Sequence, residues 1–123
     1  MKDFGPNKSY TKFNEDDIEK KIFDDRWVRF AFGTQGFLNS DKFNLGIVKF
    51  DKNKTSKTHM HNVEEVLYVI SGKGKIKIND SLIEVKESDF LHIPKNTEHT
   101  IITKEDSELK ILFIFSDKII IED

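Results

Sequence analysis

A chain of 123 residues with 37% hydrophobic content has the length of one domain and enough apolar material to bury a core. Its net charge is −2, with 20 basic and 22 acidic residues spread along the chain, so no basic patch tracks phosphates and nucleic acid is not an expected partner. The absence of cysteine removes disulfides, thiolate ligands and thiol nucleophiles. No apolar run reaches membrane-span length or forms a signal-peptide core, so a cytoplasmic location is expected.

Met1 to Phe13 is polar, carries a Gly5-Pro6-Asn7 turn and reads as an N-terminal arm. Asn14 is placed to cap a short helical turn, with Glu15, Asp16 and Asp17 favourably near its N-terminus and Ile18, Ile22 and Phe23 following. The expected division is therefore 1–25 for arm and turn, and 26–123 for a β domain. From Arg26 the pattern switches to period two, giving strands over Arg26–Phe32 and Asn44–Asp51, the second closed by Lys52-Asn53-Lys54.

Thr58–His61 reads as a short strand and Glu65–Ser71 as a buried one. Gly72-Lys73-Gly74 reads as a turn into the alternating Lys75–Ile78, and Asn79-Asp80-Ser81 as a hairpin turn. Leu82–Val85, Asp89–Ile93, Glu98–Thr103, Leu109–Phe115 and Lys118–Ile121 complete the series. Many short strands with turn residues between them predict an all-β barrel or sandwich. Eleven phenylalanines against one tryptophan and two tyrosines suit such an interior, since a phenyl ring needs no hydrogen-bond partner.

All four histidines fall in two short stretches, Lys57–Gly72 and Phe90–His99. His59 and His61 are two apart, so on a strand both imidazoles share a face. Glu65 follows, and His99 comes from after a Pro94–Asn96 turn. Three imidazoles and one carboxylate form a ligand set for one divalent transition metal. Glu64 and Glu65 face opposite sides of a strand, and only one can look inward with the histidines. His92, on the strand leading to Pro94, reads as a structural or supporting histidine. Arg26 and Arg29, the two arginines, are candidates to hold a substrate carboxylate or phosphate. Their spacing turns them to opposite faces, so at most one does so. Phe113 and Phe115 share one face of the late strand, Leu112 and Ile114 the other, and either pair could line the interior. Tyr68 reads as packing.

The stretch Gly46–Thr103 resembles the cupin superfamily. His59, His61, Glu65 and Gly72 match the core of its first motif, with Gly46 further upstream than usual. Pro94 and His99 match the second, where Ser88 and Asn96 replace glycines and Thr103 replaces the final asparagine. Asn96 still tolerates a left-handed turn. The resemblance implies a single jelly-roll (double-stranded β-helix) barrel, with His59, His61, Glu65 and His99 on one metal: Fe, Mn, Ni, Cu or Zn. Motif spacing picks Glu65 over Glu64 as the ligand.

It further implies an enzyme acting on a small oxygen-rich metabolite, of dioxygenase, decarboxylase or isomerase type, with a slight lean to an oxygenase. The alternative from another class is a non-catalytic cupin that binds a sugar or carboxylate. A metal-free epimerase of related fold would need a catalytic His and Tyr pair, which is not evident. The resemblance also implies a homodimer, since pairing covers sheet edges.

Overall fold

The computed structural model describes residues 9–119, and these are nearly all strand or turn. In chain order the strands are β1 (Lys21–Ile22), β2 (Arg26–Gly33), β3 (Leu38–Asn39), β4 (Asn44–Phe50) and β5 (Glu65–Ile78). They continue with β6 (Ser81–Lys86), β7 (Phe90–Ile93), β8 (His99–Thr103) and β9 (Leu109–Phe115). The chain of paired strands runs β1-β2-β4-β9-β5-β6, with β3 on β2 and both β7 and β8 on β5. All pairings are antiparallel except β2 with β3.

The start of β5 pairs with β9 and β7 in one wall, and its end pairs with β6 and β8 in the other. One strand therefore belongs to both walls. The Gly72-Lys73-Gly74 turn expected from the sequence is not a turn but part of this strand. Glycine is needed there for a different reason. Gly72 has φ +87°, and a Cβ would run into the carbonyl oxygen of Glu108. The register shift between Val69 and Ser71 is the bulge by which the strand changes sheet. Glycine thus bends the strand without ending it.

The short strand expected over Thr58–His61 is reduced to one isolated bridge, His59 with His99, and a second bridge, Thr55 with Ile102, precedes it. The helical turn is a single 3-10 turn over Glu15–Asp17. Asn14 caps it by accepting from the Asp16 amide, and the Asp17 side chain accepts from the Asn14 amide. Ile22 lies in β1 rather than in that turn, paired with Trp27. Lys118 and Ile119 form no strand, and the rest of that expected strand, like residues 1–8 of the arm, lies outside the described residues.

Alternation fills the interior. β4 and β9 bury every second residue, Asn44, Gly46, Val48 and Phe50 on one and Leu109, Ile111, Phe113 and Phe115 on the other. Leu109, Ile111 and Ile76 are fully buried, each worth about 1.5–3 kcal/mol relative to exposure. Phe113 and Phe115 are thus the inward pair. Gly46 makes room for them, since a Cβ there would lie 2.7 Å from the Phe113 ring and collide with the Arg29 carbonyl. Arg29 itself sits on the outer face, donating to Glu15 Oε1 at 2.8 Å and to the Ile18 carbonyl at 3.2 Å. It ties the 3-10 turn to the sheet.

Two of the motif's glycine positions keep a left-handed backbone without glycine, Ser88 at φ 75° and Asn96 at φ 59°. This backbone costs an ordinary side chain roughly 1–2 kcal/mol, and asparagine less. Glycine returns part of that gain through unfolded-chain entropy. Ser88→Gly should therefore raise unfolding stability by about 0.5–1 kcal/mol, while Asn96→Gly should change it little. Urea denaturation of both variants checks this, and a destabilised Ser88→Gly would refute it.

Candidate metal centre

The cluster is assembled from three parts of the chain. His59 and His99 face each other across a two-residue bridge, each backbone N–H donating to the other's carbonyl at 2.9 Å. Directly opposed residues of an antiparallel pair send side chains to one side, so both imidazoles point inward. His61, two residues on, shares that side, and its carbonyl accepts from the Asn96 amide at 2.6 Å. The left-handed Asn96 is what aims that amide. Glu65 opens β5 in the opposite wall, next to Phe115 of β9.

His61, Glu65 and His99 each offer one ligand atom, and these atoms lie within 4.8 Å of one another. His59 is not part of that close group. Its ring centroid is 6.2 Å from that of His61 and 6.1 Å from that of His99, and it lines the same cavity. That cavity measures about 60 Å³. Beyond the cluster its walls are mostly apolar, with Val48, Phe50, Leu67, Ile101 and Phe113. Phe115 meets the His61 ring edge-on at 5.3 Å.

Hydrogen bonding sets the chemistry of the donors. His99 Nδ1 lies 3.3 Å from the Thr97 carbonyl. A carbonyl only accepts, so Nδ1 carries the proton and Nε2 turns its lone pair to the cavity. Nε2 is 3.5 Å from Glu65 Oε1, and that buried oxygen has no hydrogen-bond partner among the described residues. Burial pushes the Glu65 carboxyl up to about 8. Burial, then the charges His99 and His59 would carry, takes His61 down to about 4. Burial also lowers His99, against the Thr97 carbonyl. At neutral pH these groups are therefore uncharged, and the His99–Glu65 contact is not an ion pair. A buried carboxyl oxygen without a hydrogen bond, beside an imidazole lone pair, fits a cation that would displace the carboxyl proton, and the donor set suits a transition metal.

The other candidates are placed as follows. Glu64 is exposed where Glu65 is buried. His92 is on the outer face, its Nε2 2.9 Å from Glu64 Oε1, away from the cavity. Tyr68 packs on Phe90 with ring centroids 4.7 Å apart. Arg26 lines the cavity and Arg29 does not. Thr103, at the asparagine position of the second motif, is buried. Its hydroxyl donates to the Asp51 carbonyl at 2.6 Å and accepts from the Lys54 amide at 2.8 Å, which pins the chain between β4 and His59. The Thr97 carbonyl carries no side-chain signal, and sequence reasoning could not find it.

The shifts give a pH signature. A raised Glu65 contributes stability in full below its ordinary value of 4.5 and loses it as pH rises towards 8. A lowered His61 contributes in full above 6.5 and loses it as pH falls towards 4. Between pH 4.5 and 6.5 the two oppose each other, and above 6.5 only Glu65 acts. Chelator-treated protein should therefore lose stability from pH 6.5 to 8, by at most about 1.4 kcal/mol per pH unit, and Glu65→Gln should abolish that slope. Denaturant unfolding at the two pH values measures it. Equal slopes in the parent and the variant would count against the assignment.

Comparison with known proteins identifies the family. The sequence model of the family described as "Cupin domain" matches residues 46–115. The acireductone dioxygenase of Leptospira interrogans is 31% identical over 83 residues, covering 64% of this chain and 44% of that protein. Acireductone dioxygenase 1 of Coprinopsis cinerea is 30% identical over 95 residues, covering 72% and 53%. The chain thus spans about half the length of the curated relatives it matches. The solved structure of the polyketide cyclase RemF from Streptomyces resistomycificus superposes with a TM-score of 0.76 at 18% identity, covering 91% of this chain and 87% of that one. Motifs, fold and family match agree, and the chain belongs to the cupin family.

Proposed function

We propose that this cupin is a metal-dependent enzyme acting on a small oxygen-rich metabolite, with dioxygenase-like chemistry as the preferred reaction type. The observation that carries the proposal is the close group of His61, Glu65 and His99 in an apolar cavity, with a buried carboxylate oxygen that no hydrogen bond satisfies. His59, from the same cavity wall, is the fourth residue of the set. The preference for a dioxygenase is supported by the names of the Leptospira interrogans and Coprinopsis cinerea relatives.

When bound, a divalent Fe, Mn, Ni, Cu or Zn ion would supply Lewis acidity and open positions for two substrate oxygens. The chain does the rest. The Thr97 carbonyl fixes the tautomer of His99, so its ring is oriented before any ligand arrives. Phe113 and Phe115 keep the cavity wall dry, which strengthens every charge interaction inside it. Glu65, protonated in the metal-free protein at neutral pH, gives up that proton as it takes a cation. The same reading includes a homodimer, implied by the resemblance, and a cytoplasmic location, expected from the sequence.

Elemental analysis of protein purified without chelator or His tag tests the proposal, beside His59→Ala and His61→Ala. The parent should carry near-stoichiometric transition metal. His61→Ala should lose it, and His59→Ala should hold it at least about tenfold more weakly. A parent that carries none, and takes none from added salts, would sink the enzyme reading and leave a metal-free binding cavity.

A further inference from the structure

The cavity has a second polar feature, distinct from the histidine and glutamate cluster. Arg26 opens β2 with its side chain only 3% exposed and lines the same cavity as His59, His61, Glu65 and His99. A buried guanidinium cannot shed its charge, so it must be held by partners. Asp25 Oδ1 accepts from Nη1 at 2.7 Å. The guanidinium carbon lies 4.6 Å from the Phe23 ring centroid and 5.9 Å from that of Phe50. These contacts fix the group in place. The arginine three residues on, Arg29, is held at the outer face by Glu15 and Asp16. The strand thus sends one arginine outward to tie down a turn and the other inward to the ligand cavity. For structure alone an apolar residue at the inward position would serve as well or better, because replacing a buried ion pair by packed apolar groups is often neutral or stabilising.

We infer that Arg26 is a ligand-binding residue that receives a carboxylate, so that this site takes short-chain carboxylic acids in preference to neutral polyols. The inference rests on the reading of this cavity as the ligand site and adds the substrate class. Guanidinium and carboxylate match in planar, paired hydrogen-bond geometry. Apolar walls such as Val28, Val48 and Ile101 make a charge-assisted contact there stronger than at the surface. The cavity is small, about 60 Å³, which suits short acids of a few carbons.

Calorimetric titration with glycolate and malonate, beside the neutral glycolamide and malonamide, tests this on the parent, Arg26→Gln and Arg26→Lys, each as purified and after chelator treatment. Metal content is measured on the same samples. Both acids should bind the parent at least about tenfold more tightly than their amides. Chelator-treated protein should keep that preference, because Arg26 and not the metal supplies it. Chelator-treated Arg26→Gln should lose the preference, the untreated variant should retain the parent's metal content, and chelator-treated Arg26→Lys should keep only part of the preference, since lysine offers a point charge without the fork. A parent that binds none of the four probes, or a chelator-treated Arg26→Gln that still prefers the acids, would overturn the inference. If Arg26→Gln does not fold, the chelator-treated parent decides: a preference that disappears with the metal also overturns it. A parent without metal that still prefers the acids would instead defeat the metal-centre reading and leave the Arg26 assignment standing.

Discussion

Both walls of the barrel depend on β5, and β5 depends on the backbone at Gly72. The strand pairs with β9 and β7 at its start and with β6 and β8 at its end. To serve both sheets it must bend sharply while keeping its ladder. A positive φ at Gly72, against the Glu108 carbonyl, does this where any Cβ would collide. The consequence reaches the cluster. Glu65 is the first residue of this strand and sits in one wall, while the histidines sit in the other around β8. The carboxylate and the imidazoles therefore converge because one strand is shared between the walls.

The cost of that convergence is electrostatic. Titratable groups are brought into an apolar cavity, and burial drives each toward its neutral form, Glu65 up and His61 and His99 down. A neutral cluster is tolerable in a core that a charged one would disrupt. It is also a cluster that a dication would reorganise, since the carboxyl must lose its proton as the cation arrives. Arg26 is the exception among the cavity's ionisable groups, because it stays charged. Its pairing with Asp25 and its seat between Phe23 and Phe50 are what let a permanent cation remain in the wall of the same cavity.

The second motif is the looser match of the two, and the structure shows why that did not cost the fold. Ser88 and Asn96 stand where the motif has glycine, and both adopt the left-handed backbone. The requirement is conformational, and asparagine meets it at little expense while serine meets it at more. Thr103 replaces an asparagine and holds the segment after β4 through two backbone partners.

Composition and period alone were enough for an all-β domain, because alternation over Arg26–Phe32, Asn44–Asp51 and Leu109–Phe115 reports one buried face per strand. That only one of Glu64 and Glu65 looks inward, and that His59 and His61 share a side, also follow from strand parity; the choice of Glu65 came from the spacing of the motif. Parity is local, and so is its reach. It could not say whether Phe113 and Phe115 or Leu112 and Ile114 face the cavity, nor which of Arg26 and Arg29 turns inward, because both faces of those strands carry plausible residues. Gly72-Lys73-Gly74 reads as a turn for the same reason: glycine reports a special backbone without saying whether the chain reverses or bends. Those choices were decided by pairing between distant segments, β2 with β4, β4 with β9 and β9 with β5. Only that register brings Arg26, the histidines and Glu65 to one cavity.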